Sequence, residues 1–261
     1  MKSHLPEEIT QLIQADMPWE QVNVGESGDS CFKVTLKNGN KAFLKTHANN
    51  SDNYFTHEIA AALWLNQHIS AAEVLADGSQ GPFSYLLTSA LQGKDLSAWV
   101  SELSNLEIVN ICAIAMRQLH MIPYANCPLD QKLQVKIPWA KQRLHDGLVD
   151  LEDFDDSRKG WSLERLLVEL DKNIPKSEDL VVTHGDFSLP NLIAERSSFS
   201  GFIDLGRAGV ADRHQDLAIC FNSLERNLGD SFQTEFLESY GLITKLDEEK
   251  LEFYKLLDEF F

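Results

Sequence analysis

The chain has 261 residues, enough to bury a substantial core as one large domain or as two lobes around a cleft. With 43% hydrophobic and 24% charged residues it is not a disordered chain, and no apolar run approaches the ~18 residues of a membrane span. A formal net charge of -17 argues against a nucleic-acid partner, because phosphate backbones select basic surfaces; it suits a cationic ligand, or simply solubility.

The pattern predicts a short amphipathic helix from Pro6 to Ala15, then strands over Val22 to Glu26 and Cys31 to Leu36. Lys37-Asn38-Gly39-Asn40 is a hairpin signal, since Asn-Gly supplies the positive φ angles of a tight turn, and Lys41 to Thr46 reads as the next strand. From Asn53 to His68 the period becomes helical, with Phe55, Ile59, Ala62, Leu63 and Leu65 favouring one side. Glu73 to Ala76 and Phe83 to Thr88 complete a sheet of about five strands with one inserted helix. Gln92-Gly93 is the candidate hinge, because the chain beyond it is mostly helical. Ser104-x-x-Glu107 is a capping box opening a helix that runs to His120. Helices are expected over Pro138 to Leu148, Ser162 to Asn173, Asp212 to Leu228, Ser231 to Tyr240 and Glu248 to Asp258, with a β-rich section from Leu180 to Asp204. Strands first and helices later argue for α+β.

Cys31, Cys112, Cys127 and Cys220 are scattered and form no CxxC pair, so a reduced, cytoplasmic setting is expected. The start of the chain, Met1 to Glu8, has one lysine and no apolar core, unlike a signal peptide.

The chemistry concentrates around His184-Gly185-Asp186-Phe187-Ser188-Leu189-Pro190-Asn191 and the later Asp204-Leu205-Gly206. Asp186 can take the proton of an attacking hydroxyl, while Asn191 and Asp204 offer hard oxygen ligands to magnesium. Asp186 and Asp204 could instead be the paired carboxylates of a glycosidase, but Asn191 would then have no role. Lys45 ends a strand and shares a face with Phe43. A lysine there is usually just solvated, but Glu58 in the next helix can hold its ammonium against nucleotide phosphates. His57-Glu58 does not open a zincin motif, because the second histidine is missing. The turn Gly25-Glu26-Ser27-Gly28-Asp29-Ser30 matches neither GxGxxG nor a Walker sequence; it is an ordinary hairpin loop or a phosphate lid with Ser27 or Ser30 as donor.

Val181 to Asp186, Leu189-Pro190-Asn191, Ser200 to Arg207 and Gly209 to Asp216 together resemble the aminoglycoside 3'-phosphotransferases, as does the ending Leu256 to Phe261. The resemblance covers essentially the whole chain and is most specific from residue 180 onward. It implies a bilobal protein-kinase-like α+β fold, with a small antiparallel-sheet, nucleotide-binding lobe over residues 1–92. A larger, mostly helical catalytic and substrate-binding lobe would span residues 93–261. It implies transfer of the γ-phosphoryl of ATP, or GTP, to an aminoglycoside hydroxyl, with no obligate protein partner. Carried over by motif, Asp186 is the catalytic base, Asn191 and Asp204 hold magnesium, and Lys45 with Glu58 binds phosphate. Ser27 matches the nucleotide-loop serine and Phe43 the residue that stacks on adenine; Ser89 and Leu91 fall where backbone groups meet the adenine edge. Asp153, Asp155 and Asp156 fall in the acidic drug-binding loop, and Asp258, Glu259 and the Phe261 carboxylate in the drug-binding tail. Asn222, Ser223 and Arg226 depart from the family pattern, which puts the drug spectrum in doubt.

The acidic loop also has a reading of its own. Asp150-Leu151-Glu152-Asp153-Phe154-Asp155-Asp156 gathers five carboxylates in seven residues, which is either a solvated loop or a surface for a polycation. An acceptor rich in ammonium groups and poor in apolar area must be held by several charge-assisted hydrogen bonds acting together. Rival readings are a kinase of the same fold acting on another small alcohol or amine, and a catalytically silent nucleotide-binding regulator.

Overall fold

The computed structural model describes residues 5–22, 30–48, 54–152, 154–229, 232–241 and 246–261. The chain divides into two compact units, Met1–Ala98 with Pro190–Gly206, and Trp99–Leu189 with Arg207–Phe261. The first unit therefore runs past the expected hinge at Gln92-Gly93 and takes in a later segment. Pairing explains this: β6 (Lys94–Asp95) joins β8 (Leu192–Glu195), which pairs in turn with β9 (Ser198–Phe202). Gly93 permits the approach. Its φ is +104°, and a Cβ there would stand 2.1 Å from the Ala194 carbonyl oxygen.

In the first unit an antiparallel sheet has the order β1-β2-β3-β5-β4, from β1 (Glu20–Val22), β2 (Ser30–Thr35), β3 (Lys41–Ala48), β4 (Val74–Gln80) and β5 (Phe83–Ser89). Alternation sorts its faces. Val34, Ala42, Leu44, Tyr85 and Leu87 are buried in one cluster with Ile9 of α1 (Glu7–Leu12) and Ile13, whereas Phe43 and Lys45 point the other way and are only half-buried. α1 is shorter than expected because Ile13 leaves the helix and bridges to Leu36. β4 is longer than expected: its polar second half, Asp77 to Gln80, has poor strand propensity, and cross-strand pairing with β5 decides it. α2 (Thr56–Leu65) buries Glu58, Ala61, Ala62 and Leu65.

The second unit is mostly helical: α3 (Asn105–His120), α4 (Leu133–His145), α5 (Leu163–Lys172), α6 (His214–Leu228), α7 (Gln233–Tyr240) and α8 (Glu248–Asp258). The predicted capping box opens α3, Glu107 N–H donating to Ser104 Oγ (3.3 Å) and Ser104 N–H to Glu107 Oε2 (2.9 Å). α4 starts five residues before Pro138, which lies inside the helix. Its real start is set from a distance, the Leu133 N–H donating to the Glu178 carboxylate at 3.0 Å. The short pair β7 (Leu180–Thr183) and β10 (Gly209–Asp212) is antiparallel; β10 occupies residues expected to be loop and helix start. Among the described residues no helix is long and apolar enough to cross a membrane.

Candidate active site

Lys45 lies at the centre of the first unit's polar cluster. Its Nζ is 2.7 Å from Glu58 Oε1 and 3.0 Å from Asp204 Oδ1. Burial opposes the ammonium, but the two carboxylates outweigh it and raise the amine above its ordinary range. β3 thus presents the lysine, α2 fixes it from the side, and the exit from β9 supplies the second carboxylate. Asp204 stands two residues past β9 with φ +58°, a left-handed conformation that Asp tolerates better than most residues.

Asn191 belongs to the same corner. Leu192 pairs with Phe202, and one step beyond that pair the Ile203 N–H donates to the Asn191 carbonyl at 3.1 Å. The β8–β9 register therefore sets the Asn191 amide and the Asp204 carboxylate at the same end of one hairpin. Both are hard oxygen donors of the kind magnesium takes, and Asp204 is still 48% exposed at its side chain. Ser89 and Leu91 line a surface pocket with Ala90, Gln92, Lys41 and Leu75; Phe43 is not part of that lining. The Ser89 N–H already donates to the Glu73 carbonyl at 2.8 Å. Ser27 lies outside the described residues with the rest of its turn up to residue 29, Ser30 opening β2, and Asp153 lies outside them too.

In the second unit β7 delivers His184-Gly185-Asp186. The turn is held from below by Asp216 of α6, which is fully buried. Its carboxylate accepts from the N–H of His184 and of Gly185, both at 2.8 Å, and meets His120 Nε2 at 3.1 Å. Burial opposes the Asp216 charge, yet these partners keep its carboxyl below the ordinary value. His120 Nδ1 is 2.7 Å from the Tyr240 hydroxyl, which accepts from Arg213 at 2.8 Å. Only glycine fits at 185: φ is +83°, and a Cβ would stand 1.9 Å from the Arg207 carbonyl oxygen.

The acidic loop and tail share the second unit, and the carboxylates of Asp155, Asp156, Asp258 and Glu259 are already partnered. Asp155 accepts from Asn222 Nδ2 at 2.7 Å and has Arg158 at 3.6 Å and Arg226 at 3.7 Å; burial pushes its carboxyl up and the two arginines oppose it. Asp156 is exposed and paired with Lys159. Asp258 meets Arg207 at 2.5 Å, and Glu259 meets Arg158 at 3.3 Å while accepting from the Asp155 N–H. The Phe261 ring packs on Trp139 with centroids 4.7 Å apart, and its main-chain oxygen accepts from Arg143 at 3.2 Å. Two of the three positions that depart from the family pattern, Asn222 and Arg226, are thus tied to Asp155; Ser223 instead accepts from the Leu189 N–H at 2.9 Å.

Residues 18–254 match the family model described as phosphotransferase enzyme family. The chain belongs to that family. An aminoglycoside 3'-phosphotransferase of Escherichia coli is 39% identical to this phosphotransferase over 246 residues, 93% of this chain and 90% of the relative. The crystal structure of an aminoglycoside-3'-phosphotransferase of type VIII matches with a TM-score of 0.84 at 37% identity, covering 95% of this chain and 96% of that one. The aminoglycoside phosphotransferase APH(3'')-Id of Streptomyces rimosus, solved with ADP and streptomycin, matches with a TM-score of 0.80 at 26% identity, covering 97% of each chain. The α+β, protein-kinase-like fold read from the sequence is the fold of these structures.

Sequence reasoning assigned no role to Arg158, Asp216, His120 or Lys136. Asp216 was quotable as part of a motif, but a carboxylate 30 residues beyond Asp186 carries no local sign that it holds that turn. Arg158 follows a run of acids and reads as one more surface charge until its 6% exposure is seen.

Proposed function

We propose that the protein is an ATP- and magnesium-dependent aminoglycoside 3'-O-phosphotransferase that acts in the cytoplasm and confers resistance to kanamycin- and neomycin-type drugs. The observation that carries the reading is Lys45 held between Glu58 and Asp204, with Asn191 at the same hairpin end. An ammonium fixed in this way is a ready partner for the phosphates of a nucleotide. The N-terminal lobe, residues 1–92, binds ATP, or GTP, with Lys45 and Glu58 on the phosphates and Phe43, Ser89, Leu91 and Ser27 around the rest of it. The catalytic and substrate-binding lobe is residues 93–261, although its segment 190–206 packs with the first unit. Asn191 and Asp204 would hold magnesium, which supplies charge neutralisation at the β- and γ-phosphates.

Asp186 orients the acceptor 3'-hydroxyl and takes its proton as the oxygen attacks the γ-phosphorus and ADP departs. The anchored His184-Gly185 backbone supports this role, because a base on a rigid turn keeps its reach to the proton. Asp153, Asp155, Asp156, Asp258, Glu259 and Phe261 form the drug side. Their ion pairs mean that drug ammonium groups must share or displace Arg158, Arg207, Arg226 and Lys159.

A coupled assay of ADP release with kanamycin and a panel of small alcohols and amines, followed by NMR location of the new phosphate, tests the proposal. Phosphate on the 3'-oxygen of kanamycin is expected. Turnover confined to another alcohol or amine overturns the substrate, and no transfer to any acceptor overturns the catalytic reading. Asp186→Ala should lower kcat by about 10²–10⁴ while nucleotide binding stays close to normal. A folded variant with parental turnover removes Asp186 from the mechanism.

A further inference from the structure

Gln215 and Asp216 are consecutive in the first turn of α6, and both are buried, Gln215 to 3% exposure. Asp216 takes the N–H groups of His184 and Gly185. Gln215 acts on the opposite pole of Gly185: its Nε2 donates to the Gly185 carbonyl at 3.2 Å. A carbonyl only accepts, so the side-chain amide must turn its nitrogen this way. Its Oε1 has no hydrogen-bond partner among the described residues. A buried acceptor without a donor costs stability, and an apolar side chain of the same length would avoid that cost. Packing alone therefore does not account for an amide at 215; the bond to Gly185 does.

That bond matters because of what stands at 185. The Arg207 carbonyl leaves no room there for a Cβ. Glycine has the widest backbone freedom of any residue, so no side chain of its own restrains the peptide leading on to Asp186. Hydrogen bonds have to restrain it. The carbonyl of that peptide is held by Gln215, and its N–H, which belongs to Asp186, donates to His184 Nδ1 at 3.3 Å. One step further, the Ser188 N–H donates to the Asp186 carbonyl at 2.9 Å. Rotation about the Gly185 Cα–C bond would carry Asp186 with it, and a peptide pinned at both poles resists that rotation.

We propose that Gln215 is a positioning residue of the phosphotransfer reaction: through the Gly185 carbonyl, its side-chain amide fixes the direction in which Asp186 presents its carboxylate. Gln215 acts only through that peptide and exchanges no proton. The role rests on the reading of Asp186 as the base.

Gln215→Met keeps the length of the side chain and removes the donor. It should lower kcat by about 10-fold or more, towards the roughly 10²-fold that a misplacement of about 1 Å can cost. The Michaelis constants for ATP and kanamycin should stay at the parental values, and the melting temperature should not fall. Parental kcat in a folded variant overturns the role. So does a lowered melting temperature together with a rise in both Michaelis constants, the sign of a merely structural contact. A crystal structure of the parent with ADP and kanamycin is a second measurement that needs no variant. Gln215 Nε2 should stay within hydrogen-bond distance of the Gly185 oxygen; an amide turned away overturns the proposal whatever the Met variant does. If the parent fails to phosphorylate kanamycin, or Asp186→Ala keeps parental turnover, the functional reading falls first. If only the Gln215 tests fail, that reading stands.

Discussion

Glu259 shows how far burial can move one group. Its carboxyl is raised from 4.5 to about 7, mainly by burial, with the Asp155 charge adding and Arg158 opposing. Below pH 4.5 the group is protonated in the folded and unfolded chain alike. Between 4.5 and about 7 the folded chain binds more protons, so stability falls as pH rises and levels off above that window. Glu259→Gln keeps an acceptor for the Asp155 N–H and removes the titration. Melting temperatures taken from pH 4 to 8 should decline less across that window than in the parent; parallel curves would remove Glu259 as the source. Tyr254 tests burial without charge. Its side chain is buried, and its hydroxyl has no hydrogen-bond partner among the described residues. A buried group left unsatisfied costs about 1–3 kcal/mol, so Tyr254→Phe should be neutral to stabilising, by roughly 2–4 °C in melting temperature for each kcal/mol. A clear drop on thermal melting would show that the hydroxyl is satisfied in solution.

At the scale of elements, the Lys45 corner depends on β3 and α2 holding one ion pair between them. Glu58→Gln removes the charge that fixes Lys45 while leaving α2 its shape, and Asp204 becomes the remaining carboxylate within reach. The Michaelis constant for ATP should rise several-fold, as expected for a lost charge-assisted contact, with that for drug nearly constant. Equal changes in both constants would show general loosening of the fold instead. The elements bearing this corner were legible beforehand. Alternation placed Phe43 and Lys45 together, the helical period placed Glu58 in the next element, and Ser104 with Glu107 marked the start of α3. β10 and the start of α4 were not. Four residues, Gly209 to Asp212, become a strand only through pairing with β7, and Pro138, read as a helix start, lies mid-helix because Glu178 caps Leu133 from 45 residues away.

For the whole molecule the net charge of -17 should act on a polycationic acceptor from a distance. Attraction of this kind is screened beyond about 8 Å at physiological ionic strength. The Michaelis constant for kanamycin should therefore climb with salt, while that for anionic ATP should not climb in step. A drug constant indifferent to salt would leave the acidic composition to solubility alone.

The sequence by itself determined the chemistry on offer and most of the elements that carry it. Hydrophobic period, cap residues and the spacing of His184, Gly185, Asp186, Asn191 and Asp204 are local properties, set within a few residues of chain. Tertiary structure alone decided which charges meet. Asp155 looked like part of a bare acidic patch and is instead enclosed by Asn222, Arg158 and Arg226; Asp216 looked like a helix residue and instead holds the His184-Gly185 turn. Lys136 carried no signal in the sequence, yet packing buries it against the Phe261 ring. The physical reason is range: a side chain's period along its own element says which face it shares, but its charge depends on what other elements bring against that face.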